Sequence, residues 1–549
     1  MAAYHGLLPA HTLCTRQNRS CLDHLLLKTK LPAFCYVANT SVTDHDTVLF
    51  FLRSKQYPKN DNTFKISNQI NLENIESDML AADFTPMYNY LNVNDATNYF
   101  INTLNSIITA NSILKIVPNR KRIKKPWMTP GLLKCLRNRD RLYLKFKANP
   151  DNEISAITYK RYRNYCSNLL KNLKLNYNKN QIDKAQGNTK KVWKAIKTIT
   201  HTTKDTTLPL ELLSQIDPQR SVNDVNAFFA NMGQSQIPQD IDSHVQLSDA
   251  LPYHQHTFAL LVTDESEVEI LIMNLRSDCA VGSDNISGKF LKKFKNLLVP
   301  PITYICNLAF NTGIFPDVFK LAVVQPIHKG GDRDRVNNYR PISILPTLSK
   351  ILERLMNNRL VKFLQQTNLL SPRQYGFRAG RSTSDAVLDL SSEIVAKLDE
   401  RRKVVGIFLD IAKAFNMISV PILIIKLEKI GIRGNQLSLF SSYLTNRRQC
   451  VKIGATCSCE LPVINGSILG PTLFLLYIND LCQLQLNDTN IFTYADDTAL
   501  ISYGSSWASA FSSAQSSFNI VTNWLTKNKL SLNVGKTTYL TFSLTSPGN

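Results

Sequence analysis

No run of eighteen consecutive apolar residues occurs in this 549-residue chain, which argues against a membrane-spanning helix. The opening, Met1 to Ala10, lacks the basic segment and apolar core of a signal or transit peptide. The spacings C-x-x-C and H-E-x-x-H are missing, and the nine histidines do not cluster with cysteines, so no zinc site is expected. The eleven cysteines are an odd number with no secretory signal beside them. They read as reduced thiols of an intracellular protein, in the nucleus or cytoplasm and not secreted, with Cys457 and Cys459 the closest pair. No internal repeat or low-complexity tract is present. Acidic residues are also in short supply: 42 Asp and Glu stand against 64 Lys and Arg, a formal charge of +22. A chain this basic is expected to meet a polyanion, because neutralising phosphates releases counterions.

What remains is ordinary globular material. The apolar fraction is 44%, enough for a packed core, and the length allows two or three domains. Three textures follow one another. Residues 1–52 alternate short apolar runs with polar breaks, like the end of an α/β domain. Residues 53–257 are helical in pattern, with breaks at Pro118, Pro126, Pro130 and Pro150 and a polar, weakly patterned stretch from Ile237 to Gln255. Residues 258–549 alternate helical and strand-like segments. Most of the excess charge is concentrated: from Lys115 to Lys197 there are 23 Lys and Arg against 4 Asp and Glu. Tyr162, Cys166, Leu169, Leu173 and Tyr177 recur at steps of three or four, giving one apolar helical face. The basic residues cover the other faces and suit a nucleic-acid backbone held without sequence readout.

Two segments carry candidate chemistry. In Lys403 to Asn416, KVVGIFLDIAKAFN, the run Val404 to Leu409 is nearly continuous apolar strand, as in a sheet covered on both faces, and Asp410 ends it. A charge there is costly unless it binds a cation or hydrogen-bonds at the sheet edge. In Asn490 to Tyr503, NIFTYADDTALISY, two β-prone runs flank Asp496-Asp497, which predicts a hairpin with the pair at its tip. Adjacent carboxylates repel unless a divalent cation neutralises them. Asp410, Asp496 and Asp497 are thus candidate ligands of two Mg²⁺ ions, with Mn²⁺ as a substitute. Elsewhere, Asp264 and Glu267 form a capping-box-like start for a helix through Leu275. A second helix is expected from Trp507 to Leu525, with Trp507, Phe511, Phe518, Val521 and Leu525 on its apolar face.

These two segments resemble motifs A and C of reverse transcriptases, and other segments follow in that family's order. Lys329 to Pro346, KGGDRDRVNNYRPISILP, and Gln374 to Ala386, QYGFRAGRSTSDA, resemble fingers motifs. Asn465 to Pro471, NGSILGP, followed by LFLLYINDL, resembles motif B, and Trp524 to Phe542 resembles motif D. Ser-Ile-Leu-Gly-Pro and Tyr-Ile-Asn-Asp-Leu are similar to the insect-type, jockey-like non-LTR elements. The resemblance implies an α+β fold, the fingers and palm of a right-hand polymerase, the palm being an antiparallel sheet backed by helices. It implies RNA-directed DNA synthesis by two-metal phosphoryl transfer, with an RNA template, a DNA primer and deoxynucleoside triphosphates as partners. Asp410, Asp496 and Asp497 would be the metal-binding triad. Lys329 and Arg340 would meet the triphosphate, Phe415 would exclude a 2′-hydroxyl, and Asn465 and Gly466 would approach the template–primer pair. Lys536 would protonate the pyrophosphate or counter its charge.

Departures from the pattern stand beside the matches. Motif B usually reads Pro-Gln-Gly, and here it is Ile464-Asn465-Gly466; the residue after the motif A aromatic is Asn416 in place of Asp. The chain ends soon after motif D, so the thumb is expected to be missing and processive synthesis reduced. Thr15-Arg16, Ser20 to Asp23 and Thr43-Asp44-His45 resemble the last motifs of an apurinic-type endonuclease. Its remnant would carry Asp23, Asp44 and His45, and no strand nicking is expected. The basic region between would be the RNA-binding extension. Two alternatives stay open: a decayed copy that only binds nucleic acid, and a host-recruited ribonucleoprotein factor.

Overall fold

The structure is a computed structural model. It describes residues 8–15, 20–21, 24–27, 33–38, 46–52, 65–70, 74–117, 125–185, 187, 189–200, 209–214, 216–232, 253–277, 279–412, 414, 417–463 and 469–544. The chain divides into two compact units, one of residues 1–69 and 114–206, the other of residues 70–113 and 207–549.

The first unit contains a β-hairpin, Ala33–Ala38 against Thr47–Leu52, and a pair of long helices, α1 (Pro130–Ala148) and α2 (Glu153–Asp183). Each helix begins on a side-chain cap. Thr129 accepts from the Leu132 amide and Asn152 from the Ser155 amide, supplying acceptors for N–H groups that no helical carbonyl reaches. Pro130 opens α1, where its missing N–H costs nothing. The helices meet through a thin apolar seam. Leu132 and Cys166 are buried, Phe146 stacks on Tyr159, and Trp127 meets Tyr177 at 5.9 Å. The stripe from Tyr162 to Tyr177 is the half-buried one, and most lysines and arginines of both helices stay in solvent.

The second unit is a mixed α+β body with one large core. Helices Lys295–Thr312 and Thr347–Gln366 run through it, burying Ile302, Ile305, Leu352 and Leu355. Helices Asn74–Leu80 and Val93–Ala110 contribute Ile75, Phe100 and Leu104 to the same core. Residues 70–113 and 207–232, part of the region read from sequence as basic and helical, therefore fold with the later elements. Pairing of these helices with partners two hundred residues away leaves no local mark.

The longer strands of this unit are β1 (Leu321–His328), β2 (Tyr339–Ile344), β3 (Lys403–Asp410), β4 (Arg448–Ile453), β5 (Thr489–Tyr494), β6 (Asp497–Gly504) and β7 (Thr538–Phe542). β1 pairs antiparallel with β2 and parallel with β4. Val222, Val225 and Phe229 of helix Pro218–Ala230 pack against Val324 and Val451 of that sheet. The second sheet has the order β5-β6-β3-β7, every pair antiparallel. Helix α3 (Thr383–Asp399) covers the face carrying Val404, Phe408 and Ile501. Helix α4 (Trp507–Lys527) covers the other, with Ala510 and Ala514 against Val405 and Ile407. Cover on both faces is why β3 reads as an unbroken apolar run.

Two helices differ in detail from their expected form. Asp264 does cap helix Glu265–Met273 by accepting from the Glu267 amide. The Glu267 carboxylate goes to Arg359 at 2.9 Å and Thr263 at 2.7 Å, so the reciprocal half of a capping box is not made. On α4 the buried line is Ala510, Ala514, Ser517, Val521, Trp524 and Leu525, while Phe511 is 43% exposed. Close approach to the sheet selects small side chains over the aromatic.

Candidate active site

The site forms where β3 and the β5–β6 hairpin end together. The register of β3 on β6 sets Asp410 opposite Asp497, so their Cα atoms lie about 4.5–5.5 Å apart. Tyr494 and Asp497 close the hairpin, leaving Ala495 and Asp496 as its two turn residues. Ala495 has φ of 55°, a left-handed conformation that a side chain adopts at a cost of roughly 1–3 kcal/mol unless its surroundings enforce it.

The surroundings do enforce it. Residues 373–376 run beside β5, with a parallel bridge from Gln374 to Thr493. The Tyr375 amide donates to the Thr493 carbonyl at 2.9 Å, and the Thr493 amide to the Arg373 carbonyl at 3.0 Å. Gln374 Oε1 accepts from the Gly376 amide at 2.8 Å and from the Ala495 amide at 3.2 Å. A Cβ on Gly376 would lie 2.2 Å from the Ala495 nitrogen, so only glycine fits. Arg378 closes the loop by donating to the Ser371 and Gln374 carbonyls at 2.6 and 3.2 Å.

Asp410 is held from the turn leading to β7. Asn533 donates its backbone N–H to the Asp410 carbonyl at 2.8 Å and its side-chain amide to Oδ2 at 2.7 Å. Lys536 Nζ stands 3.2 Å from the same Oδ2. The Asp497 carboxyl is pushed above its ordinary range, first by partial desolvation, then by the charges of Asp496 and Asp410; Lys536 opposes them. A cavity of about 320 Å³ opens beside this cluster, with Asp410, Asp497 and Lys536 among its lining and an apolar wall from Leu390, Phe408 and Phe492.

Carboxylate oxygens are the donors hard divalent cations take, and the mutual repulsion at Asp497 is what such a cation would relieve. The donor chemistry fits. Among the described residues, however, no three His, Cys, Asp or Glu side chains are gathered into a ready-made cage; Asp410 Oδ2 is turned to Asn533 and Lys536.

The other expected residues fall elsewhere. Lys329 and Arg340 sit at one end of the β1–β2 hairpin, where the Lys329 amide donates to the Asn338 carbonyl at 2.9 Å; both side chains are exposed. That hairpin belongs to the other sheet. Phe415, Asn465, Gly466, Asp23, Asp44 and His45 lie outside the described residues. Gln374, Gly376 and Asn533 were not singled out from sequence. Their signal was present in the tracts QYGFR and LNVGK, but neutral side chains that bond backbone leave no charge pattern to find.

Residues 327–546 match the model of the family described as reverse transcriptase (RNA-dependent DNA polymerase). That segment is similar to reverse transcriptase domains. Asp410, Asp496, Asp497, Lys329, Arg340, Gln374, Asn533 and Lys536 all lie within the matched segment. The chain is 30% identical over 301 residues to the RNA-directed DNA polymerase from mobile element jockey of Drosophila melanogaster, covering 53% of this chain and 33% of that protein. It is 31% identical over 263 residues to a probable RNA-directed DNA polymerase from transposon X-element of the same fly, covering 46% of this chain and 28% of that one. A probable RNA-directed DNA polymerase from transposon BS is 30% identical over 289 residues, covering 51% and 32%. The chain thus spans about a third of the length of the curated relatives it matches. All eleven cysteines are free. Among the described residues no helix is long and apolar enough to cross a membrane.

Proposed function

We propose that this chain is the polymerase part of a non-LTR retrotransposon, an RNA-directed DNA polymerase that transfers deoxynucleotides to a primer 3′-hydroxyl on an RNA template. The observation that carries the reading is the register that sets Asp410 opposite Asp497, beside Asp496 at a hairpin tip. In this reading β3, β5, β6 and β7 with α3 and α4 are the palm, and β1, β2 and β4 belong to the fingers. Asp410, Asp496 and Asp497 hold two Mg²⁺ ions, or Mn²⁺ in their place. Bound there, the ions supply an activated 3′-hydroxyl and charge neutralisation for the leaving pyrophosphate.

The chain's own residues do the rest. Lys329 and Arg340 grip the triphosphate, the arginine through a fork that matches phosphate geometry. Lys536, beside Asp410 at 3.2 Å in the absence of a cation, countercharges or protonates the pyrophosphate. The cavity beside the carboxylates offers an apolar wall to the nucleotide; Phe415 excludes a 2′-hydroxyl, and Asn465 and Gly466 meet the template–primer pair. The basic helices α1 and α2 hold the RNA backbone. The first fifty residues, with Asp23, Asp44 and His45, belong to the end of an apurinic-type endonuclease domain.

Primer extension on an RNA template with Mg²⁺ tests the reading, with Asp497→Asn as control. Extension that needs Asp497 supports it. Retained RNA binding with no Asp497-dependent product would instead make the chain a nucleic-acid-binding protein.

A further inference from the structure

Gln374 is 1% exposed, yet it makes its two described side-chain bonds through one atom. Oε1 accepts from the backbone N–H of Gly376 and of Ala495. Two donors facing one atom fix that atom as the oxygen. Nε2 is buried and has no partner among the described residues. A buried amide donor without an acceptor is unfavourable. Glutamate would keep both accepted bonds but would put a buried carboxylate oxygen without a donor where Nε2 stands.

The bond to Ala495 is also unusually placed. Ala495 immediately precedes Asp496 and is the turn residue with positive φ. Its N–H fixes the Tyr494–Ala495 peptide plane, through which the chain enters the turn that carries Asp496. The partner loop can reach it only because residue 376 has no side chain. The contact spans 121 residues of sequence.

Resting on the polymerase reading above, we propose that Gln374 is a positioning residue: it holds the Ala495–Asp496 turn in the form in which Asp496 and Asp497 can share a divalent cation with Asp410. Gly376 is the second half of the device. Gln374 touches neither cation nor substrate; it sets how strongly the site takes the cation.

The test uses the full chain and Mn²⁺ alone, with no nucleotide, followed by electron paramagnetic resonance. The wild type is expected to bind Mn²⁺ in a manner that Asp497→Asn abolishes. Gln374→Met, similar in shape but without the acceptor, should weaken Mn²⁺ binding about tenfold, the scale of one buried N–H left without its partner. Deuterium exchange across residues 491–498 should quicken in the same variant before any metal is added. Gln374→Glu keeps both accepted bonds, so it should retain slow exchange and bind Mn²⁺ at least as tightly as the wild type. Wild-type affinity and exchange in Gln374→Met overturn the proposal and leave the polymerase reading intact. Should Gln374→Met fail to fold, loss of Mn²⁺ binding in a folded Gln374→Glu overturns it equally. Absence of Asp497-dependent Mn²⁺ binding in the wild type overturns both readings together.

Discussion

Two regions of this chain handle charge in opposite ways. On α1 and α2, twelve lysines and arginines stand among three acidic residues, spread along helices with a thin seam of Leu132, Cys166 and paired aromatics. Arg139 and Asp140 form an ion pair there at 2.6 Å; exposed pairs of this kind contribute little. On the β3–β6 edge, Asp410 and Asp496 stand close enough to Asp497 to raise its carboxyl, opposed by Lys536 and framed by Asn533, Gln374 and Gly376. Dispersed charge acts by its sum, so no member is essential. Concentrated charge acts by register, so one change removes the function.

The largest effect should therefore come from the carboxylate cluster. Asp410→Asn should lower primer extension about a thousandfold or more, since the lost cation stabilisation is several kcal/mol. Folding should be unharmed, because the change relieves repulsion at Asp497. Extension assays beside thermal melts read both; appreciable activity in this variant would erase the contrast.

A smaller and graded effect belongs to the helices. Lys134, Arg137 and Arg141 are exposed at helical spacing on α1. Changing all three to alanine should flatten the dependence of RNA affinity on salt by about 2 in log–log slope, with roughly 0.7–0.9 lost per phosphate contact. Single changes should each give a fraction of that, and extension on a bound primer–template should persist. An all-or-none loss from one substitution would contradict a summed surface.

The smallest effect on activity is expected at a third charge that serves the fold alone. Asp284 is buried and accepts from the Thr347 amide at 2.7 Å at the start of helix Thr347–Gln366, with longer contacts to the Leu348 and Ile286 amides. Burial outweighs these bonds and pushes its carboxyl up to about 6 from 3.8. The folded value lies above the unfolded one, so the protonated form's stabilisation is complete below about 3.8. It is lost as pH rises through about 6. A shift of this size is worth on the order of 3 kcal/mol. Melting curves of wild type against Asp284→Asn should diverge with that sign across that window; parallel curves would contradict it.

How far the sequence reveals the molecule follows the same division. The run Val404 to Leu409 and the paired β-prone tracts around Asp496 are visible because strands have period two and burial on both faces removes the alternation. Asp410 and Asp497 could be named for the same reason. That helices Asn74–Leu80 and Val93–Ala110 share a core with residues beyond 258 was not visible, since packing of Phe100 and Leu104 on distant elements has no local period. Phe511 was placed on the inner face of α4 by spacing alone, and the sheet takes Ala510 and Ala514 instead. Gln374 escaped notice because its work is to accept two backbone hydrogen bonds, which any neutral amide could do in any loop.

In the polymerase reading, carboxylates from β3 and from the β5–β6 turn share bound divalent cations. Replacing Mg²⁺ by Fe²⁺ in the full chain and generating hydroxyl radicals there reads this directly, because cleavage is confined to backbone near the metal. Cuts are expected close to 410 and close to 495–498 in the same molecules, both lost in Asp497→Asn. Cuts at only one of these places, or cuts indifferent to Asp497, would contradict it.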